Sequence, residues 1–312
     1  MRIVLALGGN ALLERGQALT AKNQSINIKK SAASIAAIAK DHEVVIVHGN
    51  GPHVGLLIEQ NSEYNKINSE ATPYPIDILG AETCGMIGYI LQQELYNSDK
   101  SLDIITMLTQ TQVNLNDPAF DNPTKFVGPV YQYKHLENLK LSDPSAIYKK
   151  DGDCYRRVVS SPRPQDIIEK KQINNLLSSG NTVIACGGGG IPVTKNSDGS
   201  LTGIECVIDK DLTAELLANE IKADLFIILT DGPVYINYGK TNQKAVKYTS
   251  PEELDKFHFP AGSMGPKIDA VCKFVSKGLG DAAIGSLDEL TEIISGNSGT
   301  RITKDSGITY YQ

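Results

Sequence analysis

Tryptophan is absent from the 312 residues and phenylalanine occurs only 6 times. The core must therefore rest on Ile, Leu, Val and Ala, and a 41% hydrophobic composition supplies enough of them for one large α/β domain or two smaller ones. Paired cysteines are lacking too. Cys84, Cys154, Cys186, Cys206 and Cys272 are scattered and form no C-x-x-C, which argues for free thiols in a reducing cytoplasm. Long apolar runs are missing: "LFIILT" is far too short to span a bilayer. The chain starts at once on the strand pattern "RIVLAL", which leaves no room for a targeting segment. Excess positive charge is also missing. A formal net charge of -6 gives no general pull on nucleic acid or anionic lipid, so neither a nucleic acid nor a membrane is expected as a partner.

Several catalytic signatures fail as well. There is no H-E-x-x-H, no Cys/His metal spacing and no G-x-S-x-G, so no protein-held metal is expected. "YGKT" at 238–241 lacks the upstream glycine of a P-loop, and "GNGPHVG" has three residues, not two, between its last glycines. His48 and His53 flank that turn without a nucleophile to serve, which favours a structural or hydrogen-bonding role.

What is present is an alternation. Apolar β-branched runs at 2–7, 43–48, 103–108, 181–186, 224–230 and 281–286 predict strands covered on both faces. Helical spacing fills 23–40, 75–96, 211–222 and 265–277 between them. This predicts an α/β fold: an open, mostly parallel central sheet sandwiched by helices. From about Asp117 to Pro164 the alternation breaks into Pro-, Tyr- and charge-rich text, which predicts a small protruding insert subdomain of hairpins. A second polar excursion at 194–205 predicts a hairpin turning at Asp198-Gly199.

Sheets of this kind bind ligands at the carboxyl ends of their strands. Four glycine-bearing loops fall there: "GGNA" (8–11), "GNG" (49–51), "GGGG" (187–190) and "TDGP" (230–233). Any one of them reads equally as a tight turn; their clustering favours backbone N–H groups that approach an anion, above all phosphate. Lysines then matter. Lys125 lies in the insert, Lys210 between two aspartates in "VIDKDLTAE", and Lys267 in "AGSMGPK", where a glycine-rich turn opens a helix. Asp211, with Asp209 as second choice, either holds Lys210 and a second lysine in register or simply caps the helix.

Taken in order, "LALGGNALL", "VHGNGPHVGLL", "DPAFDNPTKFVGPVY", "YRRVVSSPRP", "CGGGGIPV", "VIDKDLTAELLA", "ILTD" and "GSMGPK" resemble carbamate kinases of the amino acid kinase superfamily. The resemblance covers nearly the whole chain, and "PTKFVGPVY" with "RRVVSSPRP" is its discriminating part. It implies a homodimeric phosphotransferase that moves a phosphoryl group between carbamoyl phosphate and ADP, giving ATP and carbamate, with Mg2+ carried by the nucleotide. The pathway would be nitrogen catabolism, from arginine, agmatine or a purine-derived carbamoyl compound. It implies one domain, with residues 1–180 as the phosphoryl-acceptor and dimerisation half and 181–312 as the nucleotide half. By the same resemblance Gly8, Gly9, Asn10, Ala11, Gly49, Asn50 and Gly51 would cradle the phosphoryl and carbamoyl groups. Gly187, Gly188, Thr230, Asp231, Tyr235, Met264 and Gly265 would hold the nucleotide. Lys125, Lys210 and Lys267 would neutralise charge, organised by Asp211 and Asp209. The chain departs from the pattern at His53 and Cys84, where glutamine is usual, and in "TDGPVY", which is one residue short. Competing readings are a kinase for another small acid and a nucleotide-binding, non-catalytic homologue.

Overall fold

The computed structural model describes every residue except Arg15, Ser69, Ala261 and Gly262, and the side chains of Asn10 and Ser142. In the first half the chain runs through β1 (Arg2–Leu7), α1 (Ala21–Ala39), β2 (Glu43–His48), α2 (His53–Ile67), α3 (Ile76–Ser98), β3 (Ile104–Thr106) and β4 (Gln110–Val113). Then come β5 (Lys125–Tyr131), α4 (Leu136–Ser142), β6 (Ile147–Asp151), β7 (Cys154–Val159), β8 (Pro164–Ile167) and α5 (Lys170–Ser178). The second half holds β9 (Thr182–Ile184), β10 (Ile191–Lys195), β11 (Leu201–Gly203), α6 (Lys210–Glu220), β12 (Leu225–Thr230), β13 (Tyr235–Ile236) and β14 (Lys244–Thr249). It ends with α7 (Pro251–Leu254), α8 (Gly265–Ser276), β15 (Asp281–Ser286), α9 (Leu290–Ser295), β16 (Thr300–Ile302) and β17 (Thr309–Tyr310).

The main sheet has the order β13-β14-β16-β15-β12-β1-β2-β9-β3, with β17 on β14. Its centre, from β15 to β3, is parallel throughout. Strands β1, β2, β9, β12 and β15 are buried on both faces, as their unbroken apolar text requires, while the edge strand β3 is only partly buried. Along β1, Val4 and Ala6 join the core under α6 and α8, while Ile3, Leu5 and Leu7 join the core under α1, α3 and α9. Phe226 of β12 meets Phe274 of α8 edge to face, with ring centroids 5.7 Å apart.

Two smaller sheets flank this one. The hairpin β10–β11, with Gly199 at φ +87°, extends a four-stranded sheet of order β11-β10-β4-β8. The stretch from 125 to 159 forms a separate antiparallel sheet, β5-β7-β6, with α4 beside it. α2 carries no apolar stripe that the sequence could reveal. Its buried residues, His53, Val54 and Gly55, all sit in the first turn. Among the described residues no helix is long and apolar enough to cross a membrane.

Candidate active site

The carboxyl ends of β1, β2, β9 and β12 meet at one edge, and the four glycine loops leave from there. At the end of β1, Gly8 N–H donates to the Leu229 carbonyl at 3.0 Å, and a Cβ at Gly8 would lie 2.8 Å from that oxygen. Gly9–Ala11 then turn as a short 3-10 helix. At the end of β2, Gly51 adopts φ +54°, and the aliphatic arm of Lys210 lies 3.4 Å from where a Gly49 Cβ would stand. The lysine arm thus packs directly over the turn.

Lys210 opens α6 and Lys267 lies in the first turn of α8. Asp211 joins them: its Oδ1 accepts from Lys210 Nζ at 2.5 Å and its Oδ2 from Lys267 Nζ at 2.8 Å. Asp209 is the N-cap of α6, and its Oδ1 accepts from Asp211 N–H at 2.9 Å. Its other oxygen accepts from Lys125 Nζ of the insert at 2.5 Å. Capping and lysine pairing, alternatives in the sequence, coexist: Asp211 pairs with two lysines, and Asp209 both caps α6 and pairs with Lys125.

Burial opposes the charge on Asp211, but Lys210 and Lys267 together outweigh it and hold the carboxyl well below the usual range. Asp209 is likewise lowered: burial opposes, and Lys125 prevails. Lys210 is lowered from an ordinary lysine, first by burial and then by Lys267, with Asp211 opposing. His48 is pushed down to about 4 by burial and by Lys210, against its hydrogen bond to Gly49 O. It is therefore neutral, and its Nδ1–H donates to that carbonyl at 2.9 Å.

The "GGGG" turn lies against these groups. A Cβ on Gly187 would meet the His48 ring at 2.6 Å, and one on Gly188 would meet the Asn50 amide at 2.2 Å. The turn that the sequence assigned to the nucleotide thus packs, at Gly187 and Gly188, against side chains at the end of β2. Thr213 Oγ1 donates to Gly189 O at 3.0 Å and ties the turn to α6. Thr83, on α3, hydrogen-bonds the Asn50 side chain at 2.9 Å. Sequence reasoning missed Thr83 and Thr213, whose only signal is position: Thr213 stands one turn after Asp209.

The departures from the family pattern have structural partners. His53 donates Nδ1–H to Asn50 O at 3.0 Å, and Cys84 Sγ donates to Gly187 O at 2.8 Å. The short 230–235 loop is fastened by Val234 N–H to Thr300 Oγ1 at 2.8 Å. Thr230 ends β12 beside Gly8, Asp231 follows it, and Tyr235 stacks edge-on against Tyr238 with centroids 6.1 Å apart. Met264 caps α8, and Gly265 N–H donates to Pro260 O at 2.9 Å. Ala261 and Gly262 of the same turn lie outside the described residues.

A model of the amino acid kinase family matches residues 1–285. The chain is 49% identical to a carbamate kinase of Haemophilus influenzae, with 100% of each covered, and 46% identical to one of Escherichia coli, covering 96% of this chain and 99% of that one. The chain belongs to the carbamate kinase branch of the amino acid kinase family. Among solved structures it is similar to a carbamate kinase of Giardia lamblia bound to AMP-PNP, at 36% identity and a TM-score of 0.88 over 97% of this chain and 98% of that one. A UMP kinase of Bacillus anthracis, 15% identical with a TM-score of 0.56, shares the family fold.

Proposed function

We infer that this protein is a carbamate kinase that transfers a phosphoryl group reversibly between carbamoyl phosphate and ADP, giving ATP and carbamate. The observation that carries the chemistry is Asp211 held between Lys210 and Lys267, beside the bare turn at Gly49. Carbamate is already an anion, so no general base is required. The His48 proton is committed to Gly49 O, which suits a histidine that shapes the turn and leaves the chemistry alone. Catalysis then reduces to in-line positioning and charge neutralisation.

In this reading the backbone N–H groups of Gly8–Ala11 and Gly49–Gly51 cradle the phosphoryl and carbamoyl groups. Lys210 and Lys267 neutralise the phosphoryl oxygens and the leaving group. Lys125 reaches in from the insert, which acts as a lid. Thr230, Asp231, Tyr235, Met264 and Gly265 hold the nucleotide, with Gly187 and Gly188 as the floor between the two ends. Mg2+ enters with the nucleotide. Asp211 and Asp209 are both spent on lysines. Phosphate oxygens and water would therefore carry the ion, which supplies charge neutralisation. The protein acts as a homodimer in the cytoplasm, a reading that fits its five free cysteines.

The deciding experiment is ATP formation from ADP, Mg2+ and carbamoyl phosphate, with acetyl phosphate as competing donor and Lys210→Ala as control. Robust ATP from carbamoyl phosphate is expected, reduced roughly 10²–10³-fold in the variant. Nucleotide binding with no turnover of either donor would overturn the reading.

A further inference from the structure

Among the described residues two acidic side chains are buried, Asp211 and Glu215, and Glu215 is 0% exposed. They lie one turn apart on α6 and so share a face. Each sits between two lysines. Glu215 Oε2 accepts from Lys273 Nζ at 2.8 Å and its Oε1 from Lys277 Nζ at 3.3 Å. Asn219 donates to Oε1 as well. Lys267, Lys273 and Lys277 all come from α8 or its C-cap. One face of α6 thus presents two carboxylates to a row of three lysines on α8.

Phosphoryl transfer has no use for Glu215. It stands about 6 Å along the helix from Asp211, and its two lysines are part-exposed. A buried carboxylate is costly unless paired, and apolar side chains of similar volume often serve stability as well; the best-attested use of such a pair is to fix register. The apolar contacts of α8, through Ile268, Val271, Phe274 and Val275, are non-directional and tolerate small slides and rotations. The glutamate with its two lysines is directional.

We propose that Glu215 is a positioning residue: by clamping Lys273 and Lys277 it sets the rotation and axial register of α8, and so places Lys267 on Asp211. The proposal rests on Lys267 acting at the phosphoryl group. α6 itself is anchored between these two carboxylates by Thr213 on Gly189 O, so α8 is the element that Glu215 would register.

The test uses Glu215→Gln, which keeps an amide in place of the charge, and the apolar pair Glu215→Met with Lys273→Met. Thermal unfolding confirms that each is folded. Both are expected to lower kcat about 10- to 100-fold while KM for ADP and carbamoyl phosphate changes less than about threefold, because misplacement by ~1 Å is that costly. Lys267→Met is expected to cost about 10²–10³-fold in the wild type and at least about tenfold less in the Glu215→Gln background, since contacting networks are non-additive. Near-normal kcat in both folded variants, with the full cost of Lys267→Met retained, overturns the positioning role and leaves the proposed function standing. A harmless Lys267→Met in the wild type overturns both the catalytic reading of Lys267 and the clamp built on it.

Discussion

Asp211 uses one oxygen per lysine, and this division shapes how the site responds to pH. In the proposed reading Lys210 is protonated to neutralise phosphoryl charge, so activity is expected below its pKa and is expected to be lost as pH rises through it. Burial and Lys267 lower that pKa and Asp211 opposes them. Asp211→Asn removes the opposing charge. The alkaline limb of kcat is therefore expected to move to lower pH, and an unmoved limb in the pH profile would show that Lys210 is not the titrating group. His48 gives a second test. The unfolded histidine takes up its proton near 6.5, the native one only at about 4. Between those values the unfolded chain binds the extra proton, so stability falls as pH drops, by up to about 3 kcal/mol at the acid end. Above pH 6.5 this contribution is constant. Urea unfolding at pH 7 and pH 4.5 is expected to show a smaller acid loss for His48→Asn than for the wild type; equal losses would contradict the assignment.

At the scale of elements, the insert meets the main body through a backbone contact. A Cβ on Gly55 of α2 would lie 1.9 Å from Gly128 Cα of β5, and Gly128 itself has φ +73°. No side-chain adjustment relieves that contact, because both partners are backbone. Around it lies a small cluster of Val54, Ile76, Val127 and Val159, with Ile58 and Val207 partly buried against it and the Tyr131 hydroxyl donating to Glu59. Lys125 begins the same strand, so Gly55→Ala is expected to push β5 away and withdraw Lys125 from Asp209. We expect kcat to fall about tenfold or more with a loss of only a few degrees in Tm, since the two large cores are untouched. Full activity in this variant would argue against Lys125 acting at the site. The elements themselves were unequally legible. The central strands announced themselves as continuous apolar runs, because both faces are covered. α2 did not, because only its first turn is buried and its role is to press a glycine against the insert.

At the scale of the molecule, the main sheet ends at β3, whose outer side is an open edge. Beside it α3 exposes Ile78, Met86, Tyr89 and Tyr96, and Tyr89 and Tyr96 line a cavity of about 410 Å³ with Gly85 and Gln92. An apolar patch of this kind at a sheet edge suits association with a second copy. Sedimentation equilibrium is expected to give about twice the 33.7 kDa chain mass. Tyr89→Glu is expected to shift that equilibrium toward monomer, and a wild type that sediments as a monomer would remove this part of the proposal. The cavity is lined from α3, β3 and the turn before β3, and by none of the residues proposed to hold the nucleotide, so dissociation is expected to spare nucleotide binding.

The sequence by itself determined the parallel sheet, the edge at which its loops converge, and the residue types available there. Those follow from local text: apolar runs long enough to be covered on both faces, and glycines where strands end. It also marked Lys125, Lys210, Lys267 and the two aspartates, through motifs. Tertiary structure alone decided the pairings. That Asp211 takes Lys210 and Lys267 while Asp209 takes Lys125 depends on how α6, α8 and the insert pack, across separations of 56 and 84 residues. It also decided that "GGGG" lies against His48 and Asn50, and that Glu215, unremarkable in the text, is buried between two lysines. Local propensity names the groups; which of them meet is set by the burial of the helices that carry them.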